Sequence, residues 1–177
     1  MSVTREIKEY LHSDSFRNEL VRRYRRFEIL AEAGLRTAVA HLLIEKVRLL
    51  ADPTMGYCVT CEPRLKDVDV NVVPDVLIWK GDHPRIWIEL KDTGRFNRKK
   101  AEKDWQKLQD YCKRYRSVKA GYFIYVARRD VRDFPIKRTR ETLRYWPILI
   151  TLQPHIADFE QWNEEFKKRE RYKHPSD

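Results

Sequence analysis

Glycine is scarce in this chain, 5 of 177 residues, and proline numbers only 8. Collagen-like, linker-like and low-complexity readings are thereby excluded. Three cysteines, an odd number without framework spacing, do not make a disulfide scaffold, and they point to a reducing, cytoplasmic setting. No apolar run approaches the roughly 20 residues of a membrane-spanning helix. Met1 to Tyr10 is polar and charged, so neither a membrane partner nor a secretory signal is expected. A Gly-rich phosphate loop is also missing, which argues against NTP hydrolysis.

Acidic residues are the minority charge. Asp and Glu number 27 against 37 Lys and Arg, giving a formal +10 and a pI near 9.6. A surplus of this size favours polyanionic partners, because each neutralised phosphate releases condensed counterions. The positive charge is clustered: Arg17, Arg22, Arg23, Arg25 and Arg26 on one helical segment, and Arg95, Arg98, Lys99 and Lys100 in a loop. Aromatics such as Trp105, Tyr111 and Tyr115 lie among the basic groups. Nucleic acid is the ligand class this pattern favours. Hydrophobic residues at 42% and aromatics at 12% suffice for one ordinary core. The whole chain, 1–177, therefore reads as a single domain, with accessory segments at 1–14 and 153–177.

Periodicity predicts a short helix over 3–11 and a long helical stretch from Phe16 to about Leu50, in which Gly34 marks a kink or a junction. Strands are expected at Tyr57 to Leu65, Asp75 to Trp79 and Arg85 to Leu90, the last two forming a hairpin about Gly81-Asp82-His83-Pro84. A helix over 101–115 follows. The continuous apolar run Gly121 to Val126 reads as a strand covered on both faces. A short helix over 139–146, a fifth strand from Pro147 to Leu152 and a final helix carrying Phe159, Trp162 and Phe166 complete a mixed α/β domain.

The chemistry concentrates in Pro74-Asp75, then thirteen residues, then Glu89-Leu90-Lys91. Side chains alternate along a strand, so Glu89 and Lys91 share a face while Leu90 enters the core. Asp75 opens the neighbouring strand, which brings two carboxylates and a lysine to one edge of the sheet. Two carboxylates suit Mg²⁺ or Mn²⁺ beside a phosphodiester, and a lysine there can position or activate water. Glu-x-Lys also occurs at Glu6 to Lys8 and Glu165 to Lys167, but on predicted helices, where solvated pairs are expected.

With its αβββαβ order and its Pro-Asp…Glu-x-Lys motif, the stretch 28–152 resembles the PD-(D/E)XK nuclease superfamily and its restriction-endonuclease-like fold. The resemblance implies that Asp75, Glu89 and the Leu90 carbonyl bind the metal, that Lys91 assists water, and that a helical glutamate, Glu32, adds a further carboxylate. Glu45 and Glu62 compete for that last role. Exonuclease-type members carry a glutamine four residues before a tyrosine. Tyr111 is present here, but Lys107 takes the glutamine's place and Gln106 is one position off, so endonuclease action is preferred. Resolvases and many restriction enzymes of this core act as dimers, which leaves a homodimer open.

Other motifs carry less. Cys58 and Cys61 match CxxC but face opposite sides of a strand, and are expected to be buried thiols. Asp67 to Asn71 mimics the start of an EF-hand without its glycine or its final glutamate; Asp69 from it is a candidate neighbour of the metal site. His41 reads as packed or partly exposed. The expectation is thus a Mg²⁺- or Mn²⁺-dependent deoxyribonuclease. The alternatives are a non-catalytic nucleic-acid-binding module of the same fold, the nuclease subunit of a larger assembly, or a basic protein that docks on an acidic partner.

Overall fold

A computed structural model describes residues 2–63, 73–94, 96–132, 134, 136 and 144–173, with side chains up to 171. Five strands form one mixed sheet in the order β1 (Tyr57–Cys61), β2 (Val76–Lys80), β3 (His83–Thr93), β4 (Ala120–Ala127) and β5 (Tyr145–Thr151). Strands β1 to β3 run antiparallel, while β3, β4 and β5 run parallel. Among the described residues five α-helices cover the sheet: α1 (Val3–His12), α2 (Asp14–Arg25), α3 (Glu32–Leu50), α4 (Arg98–Arg114) and α5 (Phe159–Lys173).

Strand alternation sorts the core into two clusters. Val76, Ile78, Ile86, Ile88, Leu90, Tyr122, Ile124 and Val126 join the apolar faces of α1, α2, α3 and α5 on one side. Leu77, Trp87, Phe123 and Tyr125 face α4 through Ala101, Trp105, Leu108 and Cys112 on the other. Strand β4 is buried along its whole length, which accounts for its unbroken apolar sequence. Helix α4 approaches it closely. A methyl group on Gly121 would lie 2.9 Å from Cys112 Sγ and 3.1 Å from a Tyr145 ring carbon, so glycine is required there by packing.

Several boundaries differ from the sequence reading. The long helical stretch is two helices, broken over 26–31 rather than at Gly34, which lies in the first turn of α3. The break turns on Phe27, a non-glycine residue at φ 58°, so it carries no glycine signal. Ser13 caps α2, its hydroxyl accepting from the Phe16 N–H at 3.2 Å. Strand β5 begins at Tyr145, two residues before Pro147, so Tyr145 and Trp146 are extended and not helical; 137–143 lie outside the described residues. Strand β1 ends at Cys61, and Leu65 with the Asp67 to Asn71 loop likewise falls outside them. Cys58 and Cys61 are exposed, not buried, because β1 is the outer strand of the sheet. Among the described residues no helix is long and apolar enough to cross a membrane.

Candidate active site

The hairpin register pairs Val76 with Ile88, so Asp75 is carried to the level of Glu89 just beyond the start of β2. Past that point β3 has no further strand partner on its β2 side among the described residues. Asp75 fills the gap: its Oδ2 accepts from the Leu90 N–H at 2.8 Å. The N–H and C=O of one strand residue point the same way, so the Leu90 carbonyl faces the same gap. Leu90's side chain is buried in the core and Glu89 lies on the opposite face.

Glu89 is only 8% exposed. Its Oε1 accepts from Trp87 Nε1 at 2.8 Å, which fixes the carboxyl in place. The carboxyl groups of Asp75 and Glu89 are near enough to perturb one another's ionisation. Burial, reinforced by the Asp75 charge, pushes Glu89 up to about 8. Burial also raises Asp75, although the Leu90 N–H and Arg36 pull the other way. Two desolvated like charges cannot both ionise cheaply, and at neutral pH the pair keeps a proton, chiefly on Glu89.

Lys91 projects from the end of β3 and its Nζ sits 2.9 Å from Glu32 Oε2, at the first turn of α3. Burial works to lower the Lys91 pKa, but the hydrogen bond and charge of Glu32 outweigh it and the net shift is upward. Lys91 is therefore a held ammonium, suited to donating and to offsetting negative charge rather than to taking a proton. Of the competing glutamates, Glu62 pairs with Arg36 and so borders the site. Glu45 pairs with half-exposed His41, thirteen residues and about 20 Å along α3 from Glu32.

Arg36 is absent from the sequence expectation. Its Nε lies 3.7 Å from Asp75 Oδ1, and its guanidinium also engages Glu62. Behind the site Asp92 feels the charge of Arg128, which bonds Glu170 of α5 at 3.2 Å, and the Tyr24 hydroxyl of α2 is buried without a hydrogen-bond partner among the described residues. Burial raises Asp92 to about 6.

The outer face of α4 adjoins the site through Trp87, whose ring stacks on Tyr111 at 5.4 Å. Lys107 lies 5.6 Å over the Tyr111 ring and pulls the Glu89 pKa downward. Gln106 donates to Asp110 at 3.0 Å. Together with Lys103 and Arg114, Gln106, Lys107, Asp110 and Tyr111 line a cleft of about 430 Å³. Lys99 and Lys100 are exposed at the start of α4 and Arg98 pairs with Glu102 at 2.9 Å; Arg95 lies outside the described residues. No acidic residue occupies that first turn, so three cations stand where the helix dipole favours an anion.

No three His, Cys, Asp or Glu side chains converge as a ready metal cluster among the described residues. The donor set is Asp75, Glu89 and the Leu90 carbonyl. It fits a hard divalent cation, which needs only one or two carboxylates and completes its shell with water and phosphate oxygens. Two carboxyl groups brought to one level of the hairpin and largely withdrawn from water are the observation behind that fit, since a cation there would relieve their repulsion. Compared with models of known protein families, with curated proteins and with solved structures, the chain finds no match.

Proposed function

We propose that the chain is a metal-dependent nuclease that hydrolyses phosphodiester bonds in DNA, with a core of the PD-(D/E)XK, restriction-endonuclease-like type. The observation that carries this reading is the meeting of the Asp75–Glu89 carboxyl pair with the Glu32-held Lys91 ammonium at one end of β2 and β3. Supporting it is the order α3, β1, β2, β3, α4, β4, the αβββαβ succession of that superfamily.

Asp75, Glu89 and the Leu90 carbonyl would hold Mg²⁺ or Mn²⁺. When bound, such an ion supplies charge neutralisation at the phosphate and eases deprotonation of the attacking water. Trp87 orients Glu89, and the Leu90 N–H orients Asp75, so the carboxylates are positioned before substrate arrives. Lys91 donates to the attacking water or to a non-bridging phosphate oxygen and offsets the charge that develops there. Glu32 keeps Lys91 protonated and aimed. Lys99, Lys100 and Lys107 follow the phosphate backbone, a contact set that positions a strand without reading its sequence. Endonuclease action is the preferred mode, since the glutamine of exonuclease-type members is replaced by Lys107.

Arg36 favours a second reading, a non-catalytic DNA-binding module. Its guanidinium places a fixed positive charge beside Asp75 and partly serves where a metal would. One experiment separates the two readings. Labelled plasmid, linear, branched and single-stranded DNA are incubated with Mg²⁺, Mn²⁺ or EDTA, using wild type, Asp75→Ala and Lys91→Ala proteins of verified fold. Metal-dependent cutting lost in both variants supports the nuclease. Binding without cutting in every condition supports the module. Cutting that survives both substitutions contradicts the site.

A further inference from the structure

At the opposite end of the sheet a cavity of about 770 Å³ opens between α1 and the strand ends. Its residues Lys80, Arg85 and Lys119 stand at the end of β2, near the start of β3 and just before β4, respectively. Lys80 is five residues along β2 from Asp75, about 16 Å at strand rise. The cavity is thus separate from the carboxyl pair.

Two features of its wall select a ligand. The first is charge. Arg5 and Lys8 of α1 join the three strand-end cations, and the one carboxylate lining the cavity, Glu9, is held by Arg5 at 2.8 Å. Arg85 and Lys119 are tied by backbone, the Lys119 N–H donating to the Arg85 carbonyl at 2.7 Å. Like charges at facing positions of neighbouring strands repel, and an anion between them would relieve that repulsion. The Arg85 Nε is buried without an acceptor among the described residues, an unused donor in the same wall. The second feature is flat aromatic surface. Trp146, backed by Tyr122 in a stacked pair at 5.3 Å and 18°, lines the cavity, with Lys8 Nζ 4.6 Å from its centroid. Tyr57, also in the wall, bonds Thr4 through its hydroxyl at 3.2 Å and has Lys80 5.6 Å over its ring.

An inorganic anion would answer the cations and make no use of the rings; an apolar ligand would do the reverse. We infer that this cavity binds a phosphorylated nucleoside, its base taking the place of the Lys8 ammonium over Trp146 and its phosphate among Lys8, Lys80, Arg85 and Lys119. Its volume lies in the range of small-ligand sites, and aromatic stacking combined with a basic rim is the chemistry by which unpaired nucleotides are held. The nucleotide is supplied either free in solution or as the unpaired end of a strand. The inference stands apart from the nuclease reading, because none of these residues belongs to the carboxyl pair or to the α4 face.

The test is equilibrium binding in EDTA, on a folded Asp75→Ala background so that turnover plays no part. Adenosine 5′-monophosphate is titrated against adenosine and inorganic phosphate, with tryptophan fluorescence as the readout. The same titration uses a short single-stranded oligodeoxyadenylate with and without a 5′-phosphate. Saturable binding of the monophosphate, at least ten-fold tighter than of adenosine or phosphate, and weakened at least ten-fold by Lys80→Glu, is expected. Lys80 is exposed, so this variant keeps the fold, and Trp146→Leu should remove the quench. Binding of the 5′-phosphorylated strand alone, with the same dependence on Lys80, would identify the strand end as the source. Phosphate competing as well as the nucleotide, or binding of both probes unaffected by Lys80→Glu, would overturn the inference.

Discussion

The two ends of the sheet are built from the same strands and carry opposite electrostatics. At one end the Asp75 and Glu89 carboxyl groups are largely withdrawn from water and both are raised in pKa, with Lys91 and Arg36 at their margin. At the other end five cations and aromatic rings surround an open cavity with one engaged carboxylate. The difference lies in solvation as much as in sign. Carboxyl groups withdrawn from water respond by changing protonation, which makes them sensitive to pH and to cations. Ammonium and guanidinium groups gathered in one wall repel one another, and an anion or salt relieves that repulsion.

The largest expected effect breaks the acidic end. Lys91→Ala should lower metal-dependent cleavage by about 10²–10⁴-fold, the usual range for losing a charged group aimed at a reacting phosphate. Lys91→Arg should recover little, because a planar fork does not replace a compact ammonium held by Glu32. Turnover measured at saturating substrate checks both.

Next comes the pH response of stability. Glu89 ionises near 4.5 when exposed to water and near 8 in the folded chain. Between those values the unfolded chain has released the proton and the folded chain has kept it. Metal-free stability should therefore fall as pH rises from about 4.5 to about 8, and level off above. Glu89→Gln keeps the shape and cannot ionise. It should be the more stable protein at pH 8, by on the order of a few kcal/mol, while losing cleavage. Urea titrations at pH 5 and pH 8 read the difference. Lys80→Glu at the basic end should leave that pH slope unchanged.

A smaller effect tests the packing that supports both ends. Gly121→Ala should destabilise by about 1–3 kcal/mol, because the added methyl meets Cys112 and the Tyr145 ring with little room to yield. The smallest concerns the α4 face. Lys100→Ala should reduce the slope of log affinity against log salt for DNA by about 1, across sequences alike.

Much of this frame was legible in the sequence. The alternation that separates Leu90 from Glu89 and Lys91 follows from strand geometry, and Pro74-Asp75 marks the entry to the preceding strand. Arg36 was not legible: one guanidinium among 37 basic residues has no local mark, and its role depends on α3 crossing above β2. Trp87 reads as core, and its indole N–H acquires meaning only beside Glu89. The α2–α3 break was hidden because both helices bury one face against the same sheet, so apolar spacing continues through Ile29 and Leu30. Exposure of Cys58 and Cys61 depends on strand order, which spacing does not encode. The basic cavity is assembled from residues between Arg5 and Trp146, too dispersed to form a motif.

The most direct test of the central claim is the proton count on binding a divalent cation. Calorimetric titration with Mn²⁺ at pH 7, in two buffers of different ionisation enthalpy, should show close to one proton released per ion bound, since the cation displaces the proton kept chiefly on Glu89. Glu89→Gln should abolish that release. Binding without proton release, or release that survives Glu89→Gln, would contradict the account.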